Sequence, residues 1–191
     1  MGLFDILRGE RRPKRANLDA LFAMTTAYDT LTVNLGLEAV PRAAVCFKPV
    51  EAGAFTELLR DLDELLQISG KSTGTGVEQH QDEFGFRWVV LTDASFEDLV
   101  TTTHLVNQTI EERGFGEQLL CSVFAFRDPG PGGGALYFVY SYKRGTYYPF
   151  APRDGQKRDT AAELRYQAAL MHELPLEREL ERWYPIWGVP V

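Results

Sequence analysis

The chain has 191 residues, 45% of them hydrophobic and 25% charged, with a formal net charge of −7. That length and mix fit one domain, or one domain with appendages, and suffice for a sizeable core. The acidic balance disfavours wholesale binding of nucleic acid, and no apolar run approaches the ~20 residues of a membrane span.

The charge is uneven. Residues 1–15 carry Arg8, Arg11, Arg12, Lys14 and Arg15 against Asp5 and Glu10, a net of +3, which leaves −10 on the remainder. Leu3, Phe4, Ile6 and Leu7 lie just before this basic run. Residues 1–16 therefore read as a basic amphipathic arm. It suits either an interfacial membrane foot, with Leu3, Phe4, Ile6, Leu7, Arg8, Arg11 and Arg12 as the membrane-contact residues, or a terminal segment docked on or frayed from the body. Gly2 does not complete a myristoylation signal, because position 6 is Ile6.

Residues 17–191 read as a single α+β domain. Asn17 can cap a helix carrying Leu18, Leu21 and Phe22 on one face. Tyr28 to Leu35 alternates and predicts a first strand, and Pro41 separates it from a second over Ala43–Val50. Gly53–Ile68 is an amphipathic helix with Phe55, Leu58, Leu59, Leu62, Leu65 and Leu66 inward. Ser69–Gly76 reads as a linker. Its Gly70-Lys71-Ser72 is no phosphate loop, since Leu65 occupies the position of the required glycine and the flanking elements come in the wrong order. Val77–Glu83 and Phe86–Thr92 predict a hairpin around Gly85. Ser95 caps the next helix with Asp98 in the reciprocal position, and Arg113 and Gly114 end it. On that helix Asn107 faces inward, where a buried amide must be hydrogen-bonded, to a neighbouring backbone.

Leu119–Arg127 is a further strand, and Gly134–Pro152 is the stretch around which the rest is organised. Five of the eight tyrosines lie there. Leu136, Phe138, Tyr140 and Tyr142 alternate with Tyr137, Val139 and Ser141, giving a long two-faced strand. Lys143-Arg144-Gly145 then turns the chain, and Pro149 and Pro152 are expected to stop the ladder. The expectation is a rigid strand presenting a basic, aromatic loop, with Lys143, Arg144, Tyr147, Tyr148, Phe150 and, from the tail, Trp187 as partner-binding residues. The rival arrangement folds the three rings back over the core. Asp159 caps a helix over Thr160–His172, and a short helix follows over Leu176–Trp183. Trp183, Tyr184 and Trp187 then either seal the core or form a docking patch.

No constellation of residues points to catalysis. His80, His104 and His172 have no partner at metal-binding spacing, and no nucleophile elbow occurs. Cys46 and Cys121 lie in separate strand-like runs without a Cys-x-x-Cys spacing and read as buried reduced thiols of a cytosolic protein; a disulfide between them is the alternative, with nothing in the sequence to support it. The expectation is accordingly a protein without catalytic residues, metal ligands or cofactor, held in the cytoplasm and peripheral to the inner face of the membrane.

The motifs MGLFDILRG, NLDALFAM, AVCFKPVE, THLVNQTIEERGFG, LLCSVFAFRD, VYSYKRGTYYPFAP and LERWYPIWGVP together resemble the PspA-associated protein B family of bacteria. The resemblance spans nearly the whole chain. It implies a non-catalytic accessory role in the phage-shock membrane-stress response, with a PspA-like protein or an HtpX-like metalloprotease as partner. The chain itself lacks the HExxH of such a protease. The element order is also similar to the YbjN and type III secretion chaperone-like fold. That similarity implies an antiparallel α-βββ-α-ββ-α core, here with an extra helix and a C-terminal helical tail. Two other readings stand beside this one: a chaperone-like homodimer holding a client polypeptide, and an enzyme of unrecognised type.

Overall fold

A computed structural model of the chain describes residues 18–50 and 53–191, with the backbone alone over residues 65–73. The arm and all seven expected membrane-contact residues, Leu3 to Arg12, lie outside the described residues. The fold is α+β, as the sequence predicts. Strands β1 (Glu38–Phe47), β2 (Gly76–Gln81), β3 (Arg87–Thr92), β4 (Leu119–Asp128), β5 (Gly134–Ser141) and β6 (Thr146–Phe150) form one antiparallel sheet in the order β2-β3-β1-β4-β5-β6. A small hairpin, β7 (Pro152–Arg153) and β8 (Lys157–Arg158), stands apart.

Helical segments cover one face of the sheet. They are a continuous stretch built from a 3-10 turn (Leu18–Phe22), α1 (Ala23–Asp29) and a π turn (Thr30–Asn34), followed by α2 (Gly53–Thr73), α3 (Phe96–Glu112) and α4 (Thr160–Leu170). The alternating run Tyr28–Leu35 is thus helical rather than a first strand. Leu21, Met24, Ala27 and Leu31, spaced three or four apart, are all fully buried, and this helical period overrides the β-propensity of the threonines. Thr32 adapts by donating its hydroxyl to the Tyr28 carbonyl one turn back, at 2.9 Å. The presumed linker likewise continues as helix to Thr73, and Gly74 ends it at φ +87°.

Pro41 lies within β1 instead of before it. It falls where the β1–β4 register shifts between Ala39 and Ala43, and β1 pairs with β3 only from Arg42 onward. The bulge spares a proline that has no N–H to give to the ladder. Pro149 also fails to end pairing and sits opposite Phe138 in β6. The edge position tolerates it. Beyond that edge the chain returns over Pro175–Glu177: Tyr147 N donates to Pro175 O at 2.8 Å and Glu177 N donates to Tyr147 O at 2.8 Å. Three strands of the main sheet follow α3, where the chaperone-like pattern has two. The predicted helix over Leu176–Trp183 shrinks to one 3-10 turn, Leu180–Arg182.

The helix-covered face carries the main core. Phe124, Phe126, Phe138, Tyr140 and Tyr147 from the sheet meet Leu21, Leu31, Leu58 and Ile110 from the helices. Each such large side chain contributes about 1.5–3 kcal/mol of burial before entropy is charged. The second face carries a smaller cluster, Ala44, Cys46, Trp88, Val90, Val123, Val139, Tyr148 and Phe150, closed by Trp183 and the tail beyond it. Both faces of the central strands are apolar because both are covered.

Candidate functional site

Strand register decides which side chains share the second face. Cross-strand partners run His80–Trp88–Cys46–Cys121–Ser141–Thr146 from β2 to β6, and the next row reads Val90–Ala44–Val123–Val139–Tyr148. Residues paired in this way point to the same side of a sheet. The tail covers the Tyr148 and Phe150 end. The Tyr148 ring stacks on Trp183 at 6.2 Å, its hydroxyl donates to Tyr184 O at 2.9 Å, and Trp187 meets the Phe150 edge at 5.0 Å. A partly buried ion pair anchors this cover. Glu163, 1% exposed, accepts from Ala151 N at 2.8 Å and from Arg158 Nε at 3.0 Å, while Arg158 Nη1 donates to the Trp183 carbonyl.

The tail stops short of the Cys46–Cys121 row. What remains is an open trough of about 1200 Å³. Its floor is Cys46, Trp88, Cys121 and Tyr148. One wall is the β2–β3 hairpin and the other is Tyr184–Trp187. Lys143 and the α3–β4 connection close one end.

The hairpin wall is held by Asp82. One carboxylate oxygen accepts the Phe84 and Phe86 amides at 3.0 and 2.9 Å, and the other accepts Trp88 Nε1 at 2.9 Å. Gly85, at φ +83°, makes the turn. This arrangement pushes Phe84 into solvent at 70% exposure; Tyr184 on the opposite wall stands at 62% and Leu120 at 37%. These three large apolar side chains are grouped around one apolar floor, unlike the singly scattered apolar residues of an ordinary surface.

The expected partner-binding residues divide. Lys143, Tyr148 and Trp187 come together in the trough. Arg144 is exposed on the β5–β6 turn and does not line it. Tyr147 and Phe150 do not form an exposed loop. Tyr147 is fully buried on the helix side, where its hydroxyl donates to Leu21 O at 2.7 Å, and Phe150 is 1% exposed beneath Trp187. Tyr148 is itself 3% exposed, so the rings fold back over the core and Lys143 and Arg144 are left outside. The reason is the turn. Tyr142–Gly145 closes a tight hairpin, Gly145 takes φ +71°, and β6 resumes the alternation at once.

The phenols have little acid–base use near neutral pH. Burial pushes the Tyr148 hydroxyl up, raises that of Tyr142 well above its ordinary value, and lifts Tyr140 to about 12. Asn107 is buried and donates to Ser122 Oγ at 3.3 Å, a strand side chain rather than the expected backbone. Among the described residues no group of three or more His, Cys, Asp or Glu could hold a metal ion, and no helix is long and apolar enough to cross a membrane.

Compared with known families, residues 1–191 match the one described as PspA associated protein B. The chain belongs to that family. Its description links the members to PspA, as an accessory role would. No curated protein and no solved structure matches the chain, so the YbjN-like resemblance gains no support from a known fold.

Sequence reasoning singled out the Tyr184–Trp187 wall but missed the hairpin wall and Leu120. Phe84 was the available signal, an apolar residue at the tip of an otherwise polar turn. Leu120 was another, the outward member of a Leu-Leu pair that breaks strand alternation.

Proposed function

We propose that this protein is a non-catalytic accessory of a bacterial PspA membrane-stress response and binds a PspA-type protein in the trough on the second sheet face. The observation that carries the reading is the ring of exposed Phe84, Leu120 and Tyr184 around an apolar floor, in a family whose description names PspA as its associate. Asp82, Glu111 and Glu117 outnumber Lys143 around this surface, which suits a partner segment with an apolar stripe and basic flanks. An HtpX-like protease is the second candidate partner, on the family resemblance alone.

The test is binding of purified PspA from the same organism. Phe84→Asp and Leu120→Asp change exposed side chains and leave the core intact, and each is expected to weaken binding by ~10-fold or more, about 1.4 kcal/mol. Lys143→Ala/Arg144→Ala should weaken it less and mainly slow association. Wild type that does not bind PspA, or variants that bind as wild type does, would refute the assignment. A dimer in light scattering that Phe84→Asp abolishes would put a second copy of the chain in the trough instead.

The basic amphipathic residues 1–16 supply the membrane part of the reading, a cytoplasmic protein held at the inner face. Co-sedimentation with anionic vesicles should be strong for the full chain, fall as salt rises, and disappear for a chain lacking residues 1–15. Equal, negligible binding by both would remove the membrane role.

A further inference from the structure

The chain has two cysteines, 75 positions apart. The fold sets them directly opposite each other on adjacent antiparallel strands, Cys46 on β1 and Cys121 on β4, with their side chains on the trough face. Directly opposed residues of an antiparallel pair have Cα atoms about 4.5–5.5 Å apart, within the roughly 4.4–6.8 Å that a disulfide spans. The two thiols are free but unequal: Cys46 is 3% exposed beside its cross-strand neighbour Trp88, while Cys121 is half-buried and opens to the trough.

We propose that Cys46 and Cys121 form a reversible dithiol/disulfide site whose oxidant is a low-molecular-weight disulfide entering through the trough. Cys121, reached from solvent, attacks one sulfur of the small disulfide as its thiolate, and the other half leaves as a thiol after taking up a proton. Cys46 then gives up its proton and attacks Cys121 Sγ in the mixed disulfide, expelling the second small thiol. Two protein thiols are oxidised to one disulfide and one small disulfide is reduced to two thiols, so electrons and protons balance.

The asymmetry assigns the roles. The neighbouring Cys121 thiol and then burial push the Cys46 thiol up, and a thiol held protonated is a poor initial nucleophile. Attack on an adjacent mixed disulfide needs no entry of solvent. A bridge with one sulfur facing an open trough belongs to the readily reduced class, so the site can cycle. It also changes the floor on which a docked partner rests.

The experiment equilibrates the purified full-length protein against a series of reduced-to-oxidised glutathione ratios, quenches it with acid, alkylates it after unfolding and weighs it. The expected result is one two-electron transition in which both cysteines lose alkylation together, with the mass of an intramolecular bridge and full reversal by reduced glutathione. Cys46→Ala removes the resolving thiol and should accumulate a glutathione adduct on Cys121. In the folded Cys121→Ser protein, Cys46 should react at least ~10-fold more slowly with a neutral alkylating agent than Cys121 does in Cys46→Ala, because thiol reactivity follows exposure and thiolate content. Both cysteines remaining fully alkylatable at every ratio would overturn the proposal. So would a stable glutathione adduct on wild type, or disulfide-linked dimers in place of the internal bridge.

Discussion

At the scale of single residues, two carboxylates packed against α4, Asp159 at its cap and Asp128 at the end of β4, couple the fold to pH. Asp159 caps the helix by accepting from Ala162 N at 2.9 Å, and Arg153 Nη2 donates to its other oxygen at 2.8 Å. The cap bond first, with Arg153 adding to it, holds the Asp159 carboxyl below its ordinary range. Asp128 is lowered chiefly by the Tyr166 hydroxyl and then by the Gly130 amide. Both folded values lie below the unfolded one near 3.8. These groups therefore stabilise the fold above that pH, and the contribution is lost as pH falls through the folded values. In urea melts from pH 6 down to pH 2, wild type should lose stability steeply on the acid side. Asp159→Asn keeps a capping oxygen that does not titrate, so it should flatten that limb and lower neutral stability by the charge-dependent part that wild type loses on the acid side. Asp159→Ala should cost about 1 kcal/mol at neutral pH. An unaltered acid limb in Asp159→Asn would show that this carboxylate is not responsible.

At the scale of elements, the parts legible in the sequence are those where local pattern and tertiary need coincide. Ser95 caps α3 and accepts from Asp98 N at 3.2 Å as its spacing implies, although Asp93 Oδ1, not Asp98, takes the Ser95 amide, at 2.8 Å. The β2–β3 hairpin, β4, β5 and α4 form where the periods put them. The misread elements are those where a local rule was outvoted. Tyr28–Leu35 has strand-forming residues, yet Ala27 and Leu31 complete a helical stripe. Pro41 and Pro149 look like strand breakers, but a bulge and a sheet edge are the two places where a missing N–H costs little. The trough was only half legible. Lys143, Tyr148 and Trp187 could be singled out by composition, but the cysteine row depends on pairing between strands 75 positions apart. No local signal encodes that register; it follows from which faces of β1 and β4 the helices cover.

At the scale of the whole molecule, the sheet is closed unequally, and the C-terminal tail sets the difference. The helix side is sealed by four helical segments. The other side is sealed only where Trp183–Val191 lies, with Ile186, Trp187, Val189 and Val191 packed on the second cluster. The same segment therefore completes the core and forms one wall of the trough. Removal of residues 186–191 should expose Val139 and Phe150, lower stability by at least ~3 kcal/mol, and raise binding of an apolar dye. Trp187→Ala keeps the backbone of the wall and should reproduce a large part of that loss. A sealing element and a docking wall predict different patterns in the two assays. If the tail only seals, PspA binding should survive in Trp187→Ala at temperatures where the protein stays folded. If it is also a wall, binding should fall at those temperatures in step with Phe84→Asp, a substitution on the opposite side that leaves the core untouched. An unchanged urea midpoint after truncation would mean that the second face is stable without cover. The central strands argue against that outcome, since Val139, Tyr148 and Phe150 are as deeply buried beneath the tail as Phe138 and Tyr140 are beneath the helices.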